Sequence, residues 1–101
     1  MSGSRDQQVP RSVRRHFEIG GRVQMVGFRA FAAHHGQRLG LKGWVCNTDA
    51  GGVQVTAEGQ AELVEEFLSL LRHGPAAARV TSFSVTEEEP GPVLADFSSL
   101  G

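Results

Sequence analysis

Residues 13–40 read VRRHFEIGGRVQMVGFRAFAAHHGQRLG, and the hydrophobic period changes within this stretch. Val13, Arg15, Phe17 and Ile19 alternate with Arg14, His16 and Glu18, the repeat of a strand with one buried face. Gly20 and Gly21 are expected to end that strand. From Phe28 the repeat lengthens: Phe28, Phe31, Ala32, His35 and Leu39 fall on one side of a helix. Gly40 closes it, as glycine reaches the left-handed backbone of a helix end without a Cβ clash. A strand, a glycine-bearing loop and a helix thus open the domain.

Leu41–Asn47 (LKGWVCN) reads as a second strand, and Thr48-Asp49-Ala50-Gly51-Gly52 as a tight turn. Val53, Val55 and Ala57 then alternate with Gln54, Thr56 and Glu58, a third strand forming a hairpin with the second. From about Gln60 to Arg72 a second helix carries Leu63, Val64, Phe67, Leu68 and Leu71 on one side and Glu62, Glu65 and Glu66 on the other. His73-Gly74-Pro75 stop it. Val80–Glu87 alternates as a fourth strand, and after Pro90-Gly91-Pro92 the residues Ala95–Leu100 form a short edge strand. This β-α-β-β-α-β order is the split-βαβ, or ferredoxin-like, arrangement: an α+β sandwich with two helices on one face of an antiparallel sheet of four or five strands. In it the first two strands run parallel with the third between them. Segments 20–29 and 45–49 therefore meet at one end of the sheet.

The composition narrows the function. Among 101 residues, ten Lys and Arg face eleven Asp and Glu, a net charge of −1. Such a chain has no field with which to hold nucleic acid. A single cysteine, Cys46, excludes an internal disulfide and any multi-cysteine zinc or iron–sulfur site. No apolar run reaches bilayer length, and the start MSGSRDQQVP does not read as a signal peptide. Residues 1–12 are expected to be a mobile tail and 13–101 one domain, a cytoplasmic monomer without nucleic-acid or membrane partners.

The loop GGRVQMVGFR, residues 20–29, leads into a helix, where several backbone N–H groups converge with the positive end of the helix dipole. Such a nest suits an oxyanion, phosphate above all, and Arg29 in the first turn adds a guanidinium fork. It is not a Walker loop: Phe28-Arg29 stands where Lys-Ser/Thr would be, and GxGxxG is also missing. Asn47, where the second strand enters its turn, either aims its amide at this loop or bonds its own backbone. Trp44 reads as a packing residue and Cys46 as an inert thiol. His16, His34, His35 and His73 have the wrong spacing to share one zinc-binding face. The third strand, VQVTAE, lacks the aromatics on which an RNA-binding sheet stacks bases.

The stretches GRVQMVGFR and GLKGWVCNTDAGGVQV resemble the acylphosphatase family, whose motifs read G-x-V-Q-G-V-x-[FY]-R and G-W-V-x-N-x-x-x-G. The likeness extends from about Arg14 to Glu87. It implies hydrolysis of carboxyl phosphates with no cofactor, no metal and no covalent intermediate. By position, the resemblance makes Arg29 the phosphate-binding catalytic arginine and Asn47 the residue that orients the attacking water. The loop Gln24, Met25, Val26, Gly27, Phe28 and Arg29 would hold the phosphoryl oxygens, with inorganic phosphate a product inhibitor. One residue departs from the pattern: Met25 replaces the family's second glycine. The surrounding match favours an unchanged backbone, with Met25 at positive φ and its side chain near the mouth of the site.

Two polar side chains suffice for such chemistry. A carboxylate leaving group has a conjugate acid of pKa roughly 4 and departs without a general acid at neutral pH. What remains is to hold the phosphoryl group, neutralise its oxygens and aim a water. The competing readings are a non-catalytic anion-binding regulatory module of the same fold, and one module of a larger maturation enzyme.

Overall fold

A computed structural model of the chain describes residues 11–89 and 91–100. The tail expected over 1–12 lies, as far as Pro10, outside those residues. The elements are β1 (Ser12–Arg22), α1 (Phe28–Arg38), β2 (Lys42–Asn47), β3 (Val53–Gln60), α2 (Ala61–His73), β4 (Arg79–Glu88) and β5 (Ser98–Ser99). They form one five-stranded sheet in the order β4-β1-β3-β2-β5. β3 runs antiparallel to both β1 and β2, so those two strands are parallel and send their carboxyl ends to the same side.

Two strand expectations are corrected. β1 does not stop at Gly20-Gly21; it continues to Arg22 through a register shift between these glycines. Gly21 sits at φ 119°, and a Cβ there would strike the Arg79 carbonyl. Glycine is thus what allows this bulge. The sheet is also mixed rather than antiparallel, because β5 pairs parallel to β2 through Trp44–Ser98 and Val45–Ser99.

Both helices cover one face of the sheet. Phe17 and Ile19 of β1, Val45 of β2 and Val53, Val55 and Ala57 of β3 are buried beneath Phe28 and Ala32 of α1 and Val64, Phe67 and Leu71 of α2. Each large apolar side chain removed from water contributes roughly 1.5–3 kcal/mol. The α1 face differs from its expected form: Phe28, Ala32 and Gly36 are buried, whereas Phe31, His35 and Leu39 are only half-buried. Gly36 goes inward because Phe97 fills the space beside it; a Cβ there would stand 2.5 Å from the ring. Phe97 in turn meets Phe67 edge-on at 5.2 Å. Gly43 N–H donates to Ala95 O (3.0 Å), Lys42 Nζ to Asp96 (2.6 Å) and Leu100 N–H to Val45 O (2.8 Å). The bond from Lys42 holds the Asp96 carboxyl below its ordinary pKa. These contacts lead the C-terminal segment along β2 toward the loop that precedes α1.

Candidate active site

β1 delivers the chain to Val23, which is buried, and five residues later α1 begins. Between them the backbone reverses hand twice. Met25 stands at φ 64° and Gly27 at φ 82°, with Val26 at negative φ between them. Alternation of this kind turns successive N–H groups to one side, the geometry of an anion nest. Gly27 caps α1 with no side-chain bond, and the first turn of the helix carries no acid. The N-terminal N–H groups and the positive end of the dipole are therefore not answered locally by a carboxylate.

The side chains of the loop divide sharply. Phe28 points into the core and packs at 6.1 Å from Phe31, while Val26 packs against the same core half-buried. Gln24, whose backbone amide belongs to the expected cradle, uses its side-chain amide to fasten the loop. Its Nε2 donates to Thr48 O (2.9 Å) and Gly52 O (2.8 Å) of the β2–β3 turn. That turn is closed by Thr48 N–H to Gly52 O (2.9 Å) and Gly52 N–H to Thr48 Oγ1 (3.0 Å). Met25 is 99% exposed.

Arg29 and Asn47, 18 residues apart in sequence (47 − 29), line one cleft of about 320 Å³ with Val23, Met25, Gly27, Phe28, Ala30 and Ser99. Asn47 is the last residue of β2, paired with Val53, and parallel β1 and β2 bring it level with the loop. Arg29 Nη1 donates to Leu100 O at 3.3 Å. The C-terminal strand is thus a wall of the cleft, and the sequence reading left Ser99 and Leu100 out. Two serines and a leucine carry no periodic signal; only their pairing with β2 puts them there. A larger hollow of about 380 Å³ lies under the β2–β3 turn, lined by Glu18, Gly20, Thr48, Ser82 and Ser84 among others. It offers a carboxylate and no cation, so it does not suit an anion.

The other candidates have structural partners. His16 Nδ1 lies 2.9 Å from Thr56 Oγ1, and its ring 6.0 Å from that of Trp44, which is half-buried as a packing residue. His34 is exposed, and His35 meets Phe31 edge-on at 4.7 Å. Burial, then the charges of Arg38 and His34, push the His35 imidazole below its ordinary pKa. Cys46 accepts from Gln54 Nε2 at 3.4 Å. Among the described residues no group of three or more His, Cys, Asp or Glu could hold a metal ion, and no helix is long and apolar enough to cross a membrane.

Fold and cleft together define a small ferredoxin-like α+β domain with an anion-suited loop at one helix start. Comparison with known proteins makes this specific. The acylphosphatase family model matches residues 15–99. An acylphosphatase of Paraburkholderia xenovorans is 47% identical over 72 residues, 71% of this chain and 74% of that one. The crystal structure of an acylphosphatase from Bacillus subtilis superposes with a TM-score of 0.84 at 34% identity, covering 88% of this chain and 99% of that one. A full-length HypF structure matches with a TM-score of 0.80 at 30% identity, covering 93% of this chain and 12% of HypF. The chain belongs to the acylphosphatase family, hydrolases that act on acid anhydrides, with small acyl phosphates as the substrate class.

Proposed function

We propose that the chain hydrolyses acyl phosphates by in-line attack of water, with the loop 24–29 as phosphoryl cradle, Arg29 as its cation and Asn47 as the water-orienting group. The observation that carries this reading is the shared cleft of Arg29 and Asn47 beside the left-handed pair Met25 and Gly27. The loop N–H groups and the guanidinium neutralise the equatorial phosphoryl oxygens, where charge accumulates in the transition state. Leu100 O holds one edge of that guanidinium, so that its position is set before substrate arrives. The Asn47 side-chain oxygen accepts a hydrogen bond from the water. The water oxygen bonds to phosphorus as the bond to the acyl oxygen breaks. Carboxylate and dihydrogen phosphate leave, the latter keeping both water protons.

The carboxylate departs unassisted, so no side chain is needed as general acid and no metal to polarise a poor leaving group. A phosphate ester, which leaves as an alkoxide, reacts far more slowly at the same site. Inorganic phosphate fits the cradle and inhibits competitively. The proposal places the chain in the cytoplasm, in keeping with its single cysteine, and has it act as a monomer. A spectrophotometric assay with an aryl acyl phosphate tests the reading. Turnover that persists in excess chelator is expected, with phosphate competing. Phosphate binding without any hydrolysis would instead support the non-catalytic regulatory module, and turnover abolished by chelator would contradict the mechanism.

A further inference from the structure

We propose that Met25 determines substrate specificity: its side chain is an apolar lip that receives the acyl group and favours aromatic acyl phosphates over acetyl phosphate. This inference rests on the phosphate cradle proposed above. Met25 is the one non-glycine residue at positive φ among the described residues, at 64°. A Cβ is disfavoured there, whereas glycine adopts the same backbone without strain. The side chain does not offset that strain by packing, for it is 99% exposed and adds nothing to the core. It does, however, stand on the rim of the Arg29–Asn47 cleft.

Of the other apolar residues there, Val23 and Phe28 are each 1% exposed and face the core, and Ala30 is exposed but carries only a methyl group. Among the residues lining the cleft, the one large exposed apolar side chain is therefore Met25. With the phosphoryl group taken by the loop amides and Arg29, the acyl group must extend outward past the rim. An unbranched thioether adapts its shape to such a group and makes favourable sulfur contacts with an aromatic ring.

The test compares kcat/KM for benzoyl phosphate and acetyl phosphate in the unsubstituted chain, Met25→Gln and Met25→Leu. All three residues carry an unbranched Cβ and the same backbone strain, so closely matching Tm values would separate specificity from folding damage. Met25→Gln is expected to lower the benzoyl-to-acetyl ratio about 3- to 10-fold, chiefly through KM for benzoyl phosphate, and Met25→Leu to keep it within about 2-fold. An unchanged ratio in Met25→Gln, or an equal fall in both variants, would overturn the inference. Hydrolysis of neither substrate by the unsubstituted chain would overturn the proposed hydrolytic function, and this inference with it.

Discussion

The two helices hold equivalent places in the fold, each following a strand and crossing the same sheet face, but their first turns are built in opposite ways. α2 begins directly where β3 ends, at Gln60 with φ −59° and ψ 138°. Its first N–H, from Ala61, donates to Arg11 O at 2.8 Å, and Glu62 sits in the first turn. A carboxylate there complements the dipole and repels any second anion. α1 begins after a five-residue loop, 23–27, with a left-handed cap, no acid in its first turn and Arg29 in it instead. One helix start is closed by the chain's own groups; the other has neither side-chain cap nor acid, and the proposed function gives it to the phosphoryl group. Since the surrounding architecture is shared, the proposed capacity to bind phosphate rests on the local sequence rather than the fold.

Substituting each helix start in turn should separate the two most strongly. Arg29→Ala is expected to lower kcat/KM for an acyl phosphate by roughly two to four powers of ten, because hydrogen bonds to a charged group contribute about 1.5–3 kcal/mol each. Phosphate inhibition should weaken with it. Glu62→Gln, at the closed helix start, should leave turnover within about 2-fold and cost only about 0.3–1 kcal/mol of stability. Similar losses of activity in both variants would erase the distinction.

Asn47→Ala sharpens the assignment within the cleft. Removing the water's acceptor while leaving the cradle should reduce kcat by about 10²-fold, with the inhibition constant for phosphate nearly unchanged. Parallel losses in steady-state kinetics would move Asn47 into the phosphate shell. Next in size is the backbone of the loop. Met25→Gly should relieve the left-handed strain of about 1–2 kcal/mol, less about 0.5–1 kcal/mol for glycine's extra unfolded-state freedom. The net expectation is a Tm higher by a few degrees in thermal unfolding. A lower Tm would mean the loop needs methionine for its own stability.

The smallest effect concerns the far end of α1. His35 is held below its ordinary pKa, first by burial and then by Arg38 and His34. A lowered folded pKa means that the unfolded chain takes up the proton first. The stability involved is complete above the unfolded value of about 6.5 and is lost as pH falls through the folded one. His35→Gln should therefore flatten the decline of Tm between about pH 7 and pH 5. An unaltered slope would remove His35 from the acid sensitivity.

Local patterns carried most of the architecture because every element except the edge strands β4 and β5 buries one face, and burial imposes its period on the residues. Where the sequence misled, a non-local contact decided. Gly20-Gly21 looked like a stop, yet the bulge against β4 needs a residue with no Cβ, and the strand continues through it. Gly36 is not among the residues whose spacing marked the buried side of α1, yet it is the slot for Phe97, which arrives from 61 residues away (97 − 36). The site followed the same rule. Arg29 and Asn47 were legible from motif and topology, and Met25 takes the left-handed backbone expected from its neighbours. Gln24 stands in the loop as expected, while its side-chain amide, for which local sequence gives no partner, donates to two carbonyls of the β2–β3 turn. The Leu100 carbonyl beside Arg29 depends on a two-residue parallel pairing, which leaves no periodic trace.

In the proposed function α1, and not α2, presents its start to phosphate. Backbone amide NMR during titration with inorganic phosphate tests this directly, without depending on turnover. Saturable shifts confined to the amides of residues 24–29 and to Asn47 are predicted, with Ala61, Glu62 and Leu63 unmoved. Equal shifts at both helix starts, or none at residues 24–29 at saturating phosphate, would contradict the account.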